Sequence, residues 1–69
     1  MTAAKQALLL KIENYGKLNQ SLITLQEEFA LECKKKKSNN IDILESEIVT
    51  TKEKIVTTLA DITKIIESL

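Results

Sequence analysis

Cys33 and the four lysines that follow it are the residues in this sequence whose types first suggest chemistry. The run Lys34–Lys37 offers consecutive ammonium groups, which could bind a phosphate, RNA or an anionic lipid surface. Nucleic-acid readers usually add arginines or stacking aromatics, and this chain has no Arg and only Tyr15 and Phe29 as aromatics. Its formal net charge is zero. We therefore expect no nucleic-acid partner, and we interpret the lysine run as the solvated end of a helix.

The composition provides no residues for catalysis or for holding a cofactor. The chain has no His, and Cys33 is its single cysteine, so a disulfide partner and a histidine co-ligand for zinc are both lacking. Gly16 is the only glycine, which excludes a glycine-rich phosphate loop. Nucleophile and general-base pairs reduce to Lys and Glu on helix faces. We predict a non-enzymatic protein without catalytic, cofactor-binding or metal-binding residues, and the single cysteine fits the reducing cytoplasm.

Heptad spacing predicts the element that carries these residues. Between residues 3 and 36 the apolar residues recur every seven positions in two alternating sets, the pattern by which one helix packs along another. Lys11 and Glu32 occupy positions of the same type and interrupt the pattern near its ends. The first arm is therefore predicted to be a helix over about 3–36, with these residues facing its neighbour: Ala4, Leu8, Tyr15, Leu18, Leu22, Leu25 and Phe29.

A second heptad pattern predicts another helix over about 40–68. In this arm 14 of 29 residues are β-branched, so the helix must be held by packing rather than by intrinsic propensity. Val49 and Val56 flank its main stripe, and Leu59 and Ile66 widen the stripe towards the C-terminus. The residues predicted to face the first arm are Ile41, Leu44, Ile48, Thr51, Ile55, Thr58, Ile62, Ile65 and Leu69.

The stretch between the arms predicts a tight bend. Lys34–Lys37 would lie in the last turn of the first helix, where cations meet the negative end of the helix dipole. Ser38, Asn39 and Asn40 would supply the turn and the N-cap of the second helix. Arms of similar length can then pair antiparallel across a short loop. The predicted fold class is all-α, a single coiled-coil-like antiparallel two-helix hairpin over residues 1–69, with no targeting or membrane segment.

The first arm has a wider apolar arc than one neighbouring helix can cover. Leu9, Gly16 and Ile23 recur beside the main stripe and, with Ile12 between them, extend the arc to about 160°. Gly16 would let another backbone approach closely, or it is a glycine simply tolerated in mid-helix. We predict a partner-binding surface formed by Leu9, Ile12, Tyr15, Gly16 and Ile23. The alternative is a homodimer, in which a second copy covers the same arc and completes a four-helix bundle. The two hypotheses can coexist, since we expect the chain alone to form a homodimer until the partner displaces one copy.

The layout of the whole chain also carries a resemblance. The chain begins Met-Thr, its Ala/Leu-rich first arm ends in Ala30-Leu31-Glu32-Cys33-Lys34-Lys35, and after a short polar turn its second arm starts Ile41-Asp42-Ile43-Leu44. In these points and in length it resembles the small helical-hairpin co-chaperones of bacterial type III secretion needle subunits. That family's bend often contains Gly, where this chain has Lys36-Lys37-Ser38-Asn39-Asn40.

The resemblance implies a particular role. A member of that family is a cytoplasmic co-chaperone that pairs with a tetratricopeptide-like chaperone, and together they keep the needle subunit soluble before export. The resemblance implies no cofactor and no membrane partner. The runner-up hypothesis, which does not depend on the resemblance, is a stand-alone homodimeric four-helix-bundle scaffold or regulatory protein.

Overall fold

A computed structural model describes residues 3–35 and 39–69. It consists of two α-helices, α1 (Ala3–Cys33) and α2 (Ile41–Ser68), which pack against each other. They run antiparallel, since Lys11 near the start of α1 contacts Asp61 near the end of α2. The described residues contain no strand, so the predicted all-α helical hairpin is confirmed.

The interface between the helices, which we call the seam, follows the two heptad patterns. The predicted inward residues of α1 are all partly buried, and Lys11 and Glu32 are partly buried with them. In α2 the prediction also holds, except that Leu69 is 61% exposed because α2 has already ended at Ser68. The seam consists of Ala4, Leu8, Lys11, Tyr15, Leu18, Leu22, Leu25, Phe29 and Glu32 in α1, and of Ile41, Leu44, Ile48, Thr51, Ile55, Thr58, Ile62 and Ile65 in α2.

The end of α1 differs from the prediction. The helix ends at Cys33 and not at residue 36, so Lys34 and Lys35 lie just beyond it. Two backbone hydrogen bonds, each to the carbonyl three residues earlier, close the last turn. Lys34 N donates to Leu31 O at 3.2 Å, and Lys35 N donates to Glu32 O at 3.1 Å. The Lys35 ammonium also lies 2.9 Å from the Glu32 carboxylate. The helix therefore ends through these local bonds, and the rest of the lysine run lies outside the described residues.

The start of α2 also differs in detail. Asn40 is its N-cap, as predicted, but with helical backbone angles (φ −102°, ψ −6°) and without a capping hydrogen bond from its side chain. Its carbonyl accepts the Leu44 N–H at 2.9 Å, which starts the helix one residue later than predicted. Asp42 lies in the first turn, where a carboxylate favours the positive end of the dipole. No described residue has a positive φ. The predicted role of Ser38 lies outside the described residues.

Hydroxyl side chains along the helices bond to their own backbone. The Thr51 hydroxyl donates to Glu47 O at 2.8 Å, and the Thr63 hydroxyl donates to Leu59 O at 3.0 Å. Such bonds to the carbonyl four residues earlier satisfy the hydroxyl without a partner outside the helix. These bonds explain how threonines are accommodated in α2, a helix whose residues have a low intrinsic helix propensity.

Two helices bury little between them. The best-buried described residues are Leu44, Thr58 and Ile62, which are 8%, 6% and 8% exposed. The accessible surface is 5373 Å², about 1,000 Å² more than a compact protein of this mass would have. The radius of gyration is 15.9 Å, against about 11 Å for a compact domain of this length. The hairpin is a thin rod with unusually large surface for its size.

Candidate interaction surface

A polar groove runs along one broad side of the hairpin. Both helices contribute to it, so the flank of α1 that carries Asn14 and the flank of α2 that carries Lys54 lie on the same side. We call this side the polar face. The groove is lined by Lys11, Asn14, Leu18, Thr50, Glu53, Lys54, Thr57, Thr58 and Asp61.

An ion pair crosses the helices at this groove. Lys11 Nζ lies 3.3 Å from Asp61 Oδ2, and the two side chains are 42% and 39% exposed. A lysine can occupy a seam position in this way, because its stem packs while its ammonium reaches the partner at the rim. At such exposure the pair contributes at most about 1 kcal/mol. It also shows the alignment of the helices: with residue 11 opposite residue 61, Gly16 lies opposite Val56 and Ile23 lies opposite Val49.

The other broad side of the hairpin is apolar. In an antiparallel pair, equivalent flanks of the two heptad patterns turn to the same side, here the side away from the polar groove. These flanks carry seven large apolar side chains whose exposed fractions run from 48% to 67%. We call this side the apolar face. It comprises Leu9, Ile12 and Ile23 of α1, and Val49, Val56, Leu59 and Ile66 of α2, with Gly16 among them.

Four of the five predicted partner-binding residues lie on the apolar face. Leu9, Ile12 and Ile23 are 51%, 49% and 48% exposed, and Gly16 is exposed beside them. Tyr15 is placed differently, since it lies in the seam and is partly buried. Its side chain therefore contributes to the packing of the hairpin itself, and its remaining exposed part borders the apolar face.

Gly16 faces open space. A methyl group built on its Cα would meet no atom within 4 Å, other than those of its own helix and its chain neighbours. Nothing in the hairpin itself therefore requires a glycine at this position. Since glycine lowers the stability of a helix by about 1 kcal/mol relative to alanine, its presence fits a close approach by something outside the hairpin.

The sequence prediction missed the half of the apolar face that α2 contributes. Leu59 and Ile66 were predicted only to widen the stripe by which α2 packs on α1, and Val49 and Val56 only to flank it. The signal was present in the heptad pattern, because these residues occupy the same flanking positions in α2 as Leu9, Ile12 and Ile23 occupy in α1. Applying the antiparallel sense of the hairpin to both patterns would have placed the two sets on one side.

Polar residues interrupt the apolar face near its middle. Asn19 on α1 is partly buried and donates from Nδ2 to Tyr15 O at 2.9 Å, so its amide is tied to its own helix. Lys52 lies close to it on α2 and is exposed. The interruption divides the apolar face into a larger cluster near the chain termini and a smaller one at Ile23 and Val49.

The described residues offer no other chemistry. Cys33 is a free, exposed thiol, and no group of His, Cys, Asp and Glu in this part of the chain could hold a metal ion. Within the same residues, neither helix is both long and apolar enough to cross a membrane. The apolar face is thus the feature of the described chain that is most suited to binding.

Comparison with known proteins found no match to this chain among family models, curated proteins or solved structures.

Proposed function

We propose that this protein is a non-enzymatic binding module, a helical hairpin that docks another helical protein on its apolar face. The observation that carries the proposal is the exposure of seven large apolar side chains on one side of a two-helix rod. Single exposed apolar residues are common on protein surfaces, but several of them clustered on one side and bordered by polar residues are typical of an interaction site.

The exposed side chains can supply substantial binding energy. Full burial of one large aliphatic side chain is worth about 1.5–3 kcal/mol, so covering the exposed half of seven would contribute roughly 5–10 kcal/mol before the costs of association. A ligand that binds only the folded hairpin also stabilises it by mass action. Stabilisation by a bound partner is important for this hairpin, because the free hairpin buries little surface in its seam.

The more specific form of the proposal is the co-chaperone role in type III secretion. It assigns the protein to the cytoplasm, with a tetratricopeptide-like chaperone and a needle subunit as its partners. Its support is the layout of the chain, namely the two arms of similar length, the short polar bend and the Ile-Asp-Ile-Leu start of α2. An amphipathic helix seated in the groove of a helical repeat is an established mode of recognition and suits a rod of this shape.

Two neighbouring leucines provide a matched test. Leu9 lies on the apolar face and Leu10 does not, and both are more than half exposed, at 51% and 66%. The chain and its Leu9→Glu and Leu10→Glu variants would be used to capture partners from an extract of the source cells, with circular dichroism as the control for folding. Leu9→Glu should lower capture at least tenfold and Leu10→Glu should leave it unchanged, with helicity retained in both.

Equal capture by the two variants would contradict the proposed use of the apolar face. The specific form has its own criterion, which is the identity of the captured protein. A tetratricopeptide-like chaperone bound together with a needle subunit would support the co-chaperone role, and capture of an unrelated helical protein would overturn that role while leaving the binding module in place.

A further inference from the structure

We propose that, until its partner is present, the apolar face is covered by a second copy of this chain, in a four-helix bundle with both bends at the same end. This inference takes the docking surface from the proposed function, on which it rests. It adds that a second copy of the chain competes with the partner for the apolar face. In this dimer the two-fold axis runs parallel to the long axis of the rod, so that each α1 lies over α2 of the other copy.

The width of the apolar face favours a partner that is two helices wide. Ile12, Leu59 and Ile66 occupy the flanking positions nearer the seam, where a single docked helix would cover them. The outer positions hold Leu9 and Ile23 on one edge and Val49 and Val56 on the other. A single docked helix would leave these outer residues exposed to solvent. A second hairpin of the same length would cover both edges of the apolar face.

The size of the face matches the area that a stable dimer needs. The rod measures 54 Å by 15 Å across its broad side, so a face-to-face contact covers up to about 800 Å² on each copy. A stable interface of standard size buries about 800 Å² per partner.

A two-fold axis parallel to the rod also fixes the axial register of the two copies, because the rotation leaves every residue at the same height along the rod. Residues that lie opposite each other within one hairpin then lie over each other between the copies. From the alignment shown by Lys11 and Asp61, Val56 of one copy meets Gly16 of the other, and Val49 meets Ile23. The open space at Gly16 is thus where the valine of the second copy enters. By the same rule Lys52 lies over Gln20, the residue next to Asn19, so the polar interruptions nearly coincide.

The reverse arrangement, with the bends at opposite ends, matches the face less well. There α2 would lie over α2 of the other copy, running in the opposite direction, and the axis could cross the rod at any height. The crossing that pairs Val49 with Val56 also pairs Gly16 with Ile23, and it brings the two Lys52 side chains together. The repulsion between these like charges disfavours the reverse arrangement.

The proposed arrangement brings like charges together at the bends. Each copy contributes Lys34 and Lys35, which lie just beyond the end of α1, to the same end of the bundle. The contact between Lys35 and Glu32 at 2.9 Å offsets part of this charge. Repulsion between exposed charges is screened by salt. Added salt should therefore strengthen the association.

A spin label on Cys33 tests the arrangement in the full chain, because this thiol is exposed and is the only one in the sequence. Labels at the same end of a bundle should lie less than about 25 Å apart, given helix spacings of about 8–10 Å. Labels at opposite ends would lie about 45 Å apart, at 1.5 Å per residue. Light scattering on the unlabelled chain provides the mass. A distance near 45 Å, or a monomer from micromolar to millimolar concentration, would overturn the proposal.

Gly16→Leu provides a variant that does not fail by unfolding, since leucine favours the helix more than glycine does. It fills the space that Val56 of the second copy would enter, so the dissociation constant of the dimer should rise at least tenfold while helicity is kept. Ala7→Leu is the control, because Ala7 is exposed and lies away from the apolar face. Unchanged association of Gly16→Leu would overturn the proposed register.

The two proposals fail in different ways. A chain that stays monomeric, and whose Leu9→Glu variant still loses the partner, would overturn the second copy and support the docking surface. A dimer with the predicted label distance, whose Leu9→Glu variant captures the partner as well as the parent chain, would support the second copy and overturn the proposed function.

Discussion

The two broad faces of this hairpin are built from the same two helices, yet one carries a polar groove and the other carries seven exposed apolar side chains. The difference lies in the residues that flank the seam, since the seam itself serves both faces equally. On the polar face the flanks hold Asn14, Thr50 and Lys54, together with Asp61, which pairs with Lys11 of the seam. On the apolar face seven of the corresponding positions hold Leu, Ile or Val, whereas the opposite flank exposes three such residues, Leu10, Leu31 and Ile43. A thin rod can thus fold through one seam and keep a complete side for binding.

The comparison also shows which interactions hold the hairpin and which remain available. Leu44 and Ile62 are nearly buried in the seam, and their contacts are used in folding. Val56 is 67% exposed, so most of its apolar surface contributes nothing until another molecule covers it. The cross-helix ion pair lies between these extremes, at the boundary of the seam and the polar face.

The largest expected effect comes from the seam. Ile62 is 8% exposed, and Ile62→Ala should lower the free energy of unfolding by about 2–5 kcal/mol, because it removes buried methylenes and leaves a cavity. Both faces should be lost together, since both depend on this interface. Urea unfolding followed by circular dichroism measures the change.

Ile43→Ala is the matched control for this prediction. Ile43 is in the same helix but is 58% exposed, and it does not belong to the apolar face. Its substitution should change the free energy of unfolding by no more than about 0.5 kcal/mol. Similar losses for the two variants would show that the seam does not hold the hairpin as described.

The smallest expected effect comes from the polar face. A double-mutant cycle with Lys11→Met and Asp61→Asn should give a coupling energy of about 0.2–1 kcal/mol, the range for exposed pairs, and added salt should reduce it. Neither substitution should change association through the apolar face. A coupling energy above about 2 kcal/mol, or a loss of dimer on either substitution, would contradict the division of roles between the faces.

Much of the fold could be predicted from the heptad spacing alone. The positions of Leu8, Tyr15, Leu22 and Phe29 identified the side of α1 that packs, because a period of seven leaves one consistent stripe on a helix. A helical-wheel analysis of the same pattern also predicted four residues that lie on the apolar face. Tyr15 was assigned to that surface as well as to the stripe, and only the packed pair shows that the seam takes most of its side chain.

Other features depended on geometry that spacing does not contain. Whether Lys11 would break the seam could not be decided without Asp61, which lies 50 residues away in sequence. The end of α1 at Cys33 depends on local backbone hydrogen bonds to Leu31 and Glu32, which the heptad spacing does not predict. The contribution of α2 to the apolar face required the helices to be aligned antiparallel before their flanks could be compared.

Methyl chemical shifts of the unmutated chain, followed as its concentration is raised, test the central claim that the apolar face is a docking surface. The account predicts that the methyl resonances of Ile12, Ile23, Val49 and Val56 shift together with association. Those of Leu10, Leu31 and Ile43, which are 58–66% exposed elsewhere on the hairpin, should stay in place. Shifts centred on Leu10, Leu31 and Ile43 would contradict it, whereas the absence of any shift would overturn the second copy alone.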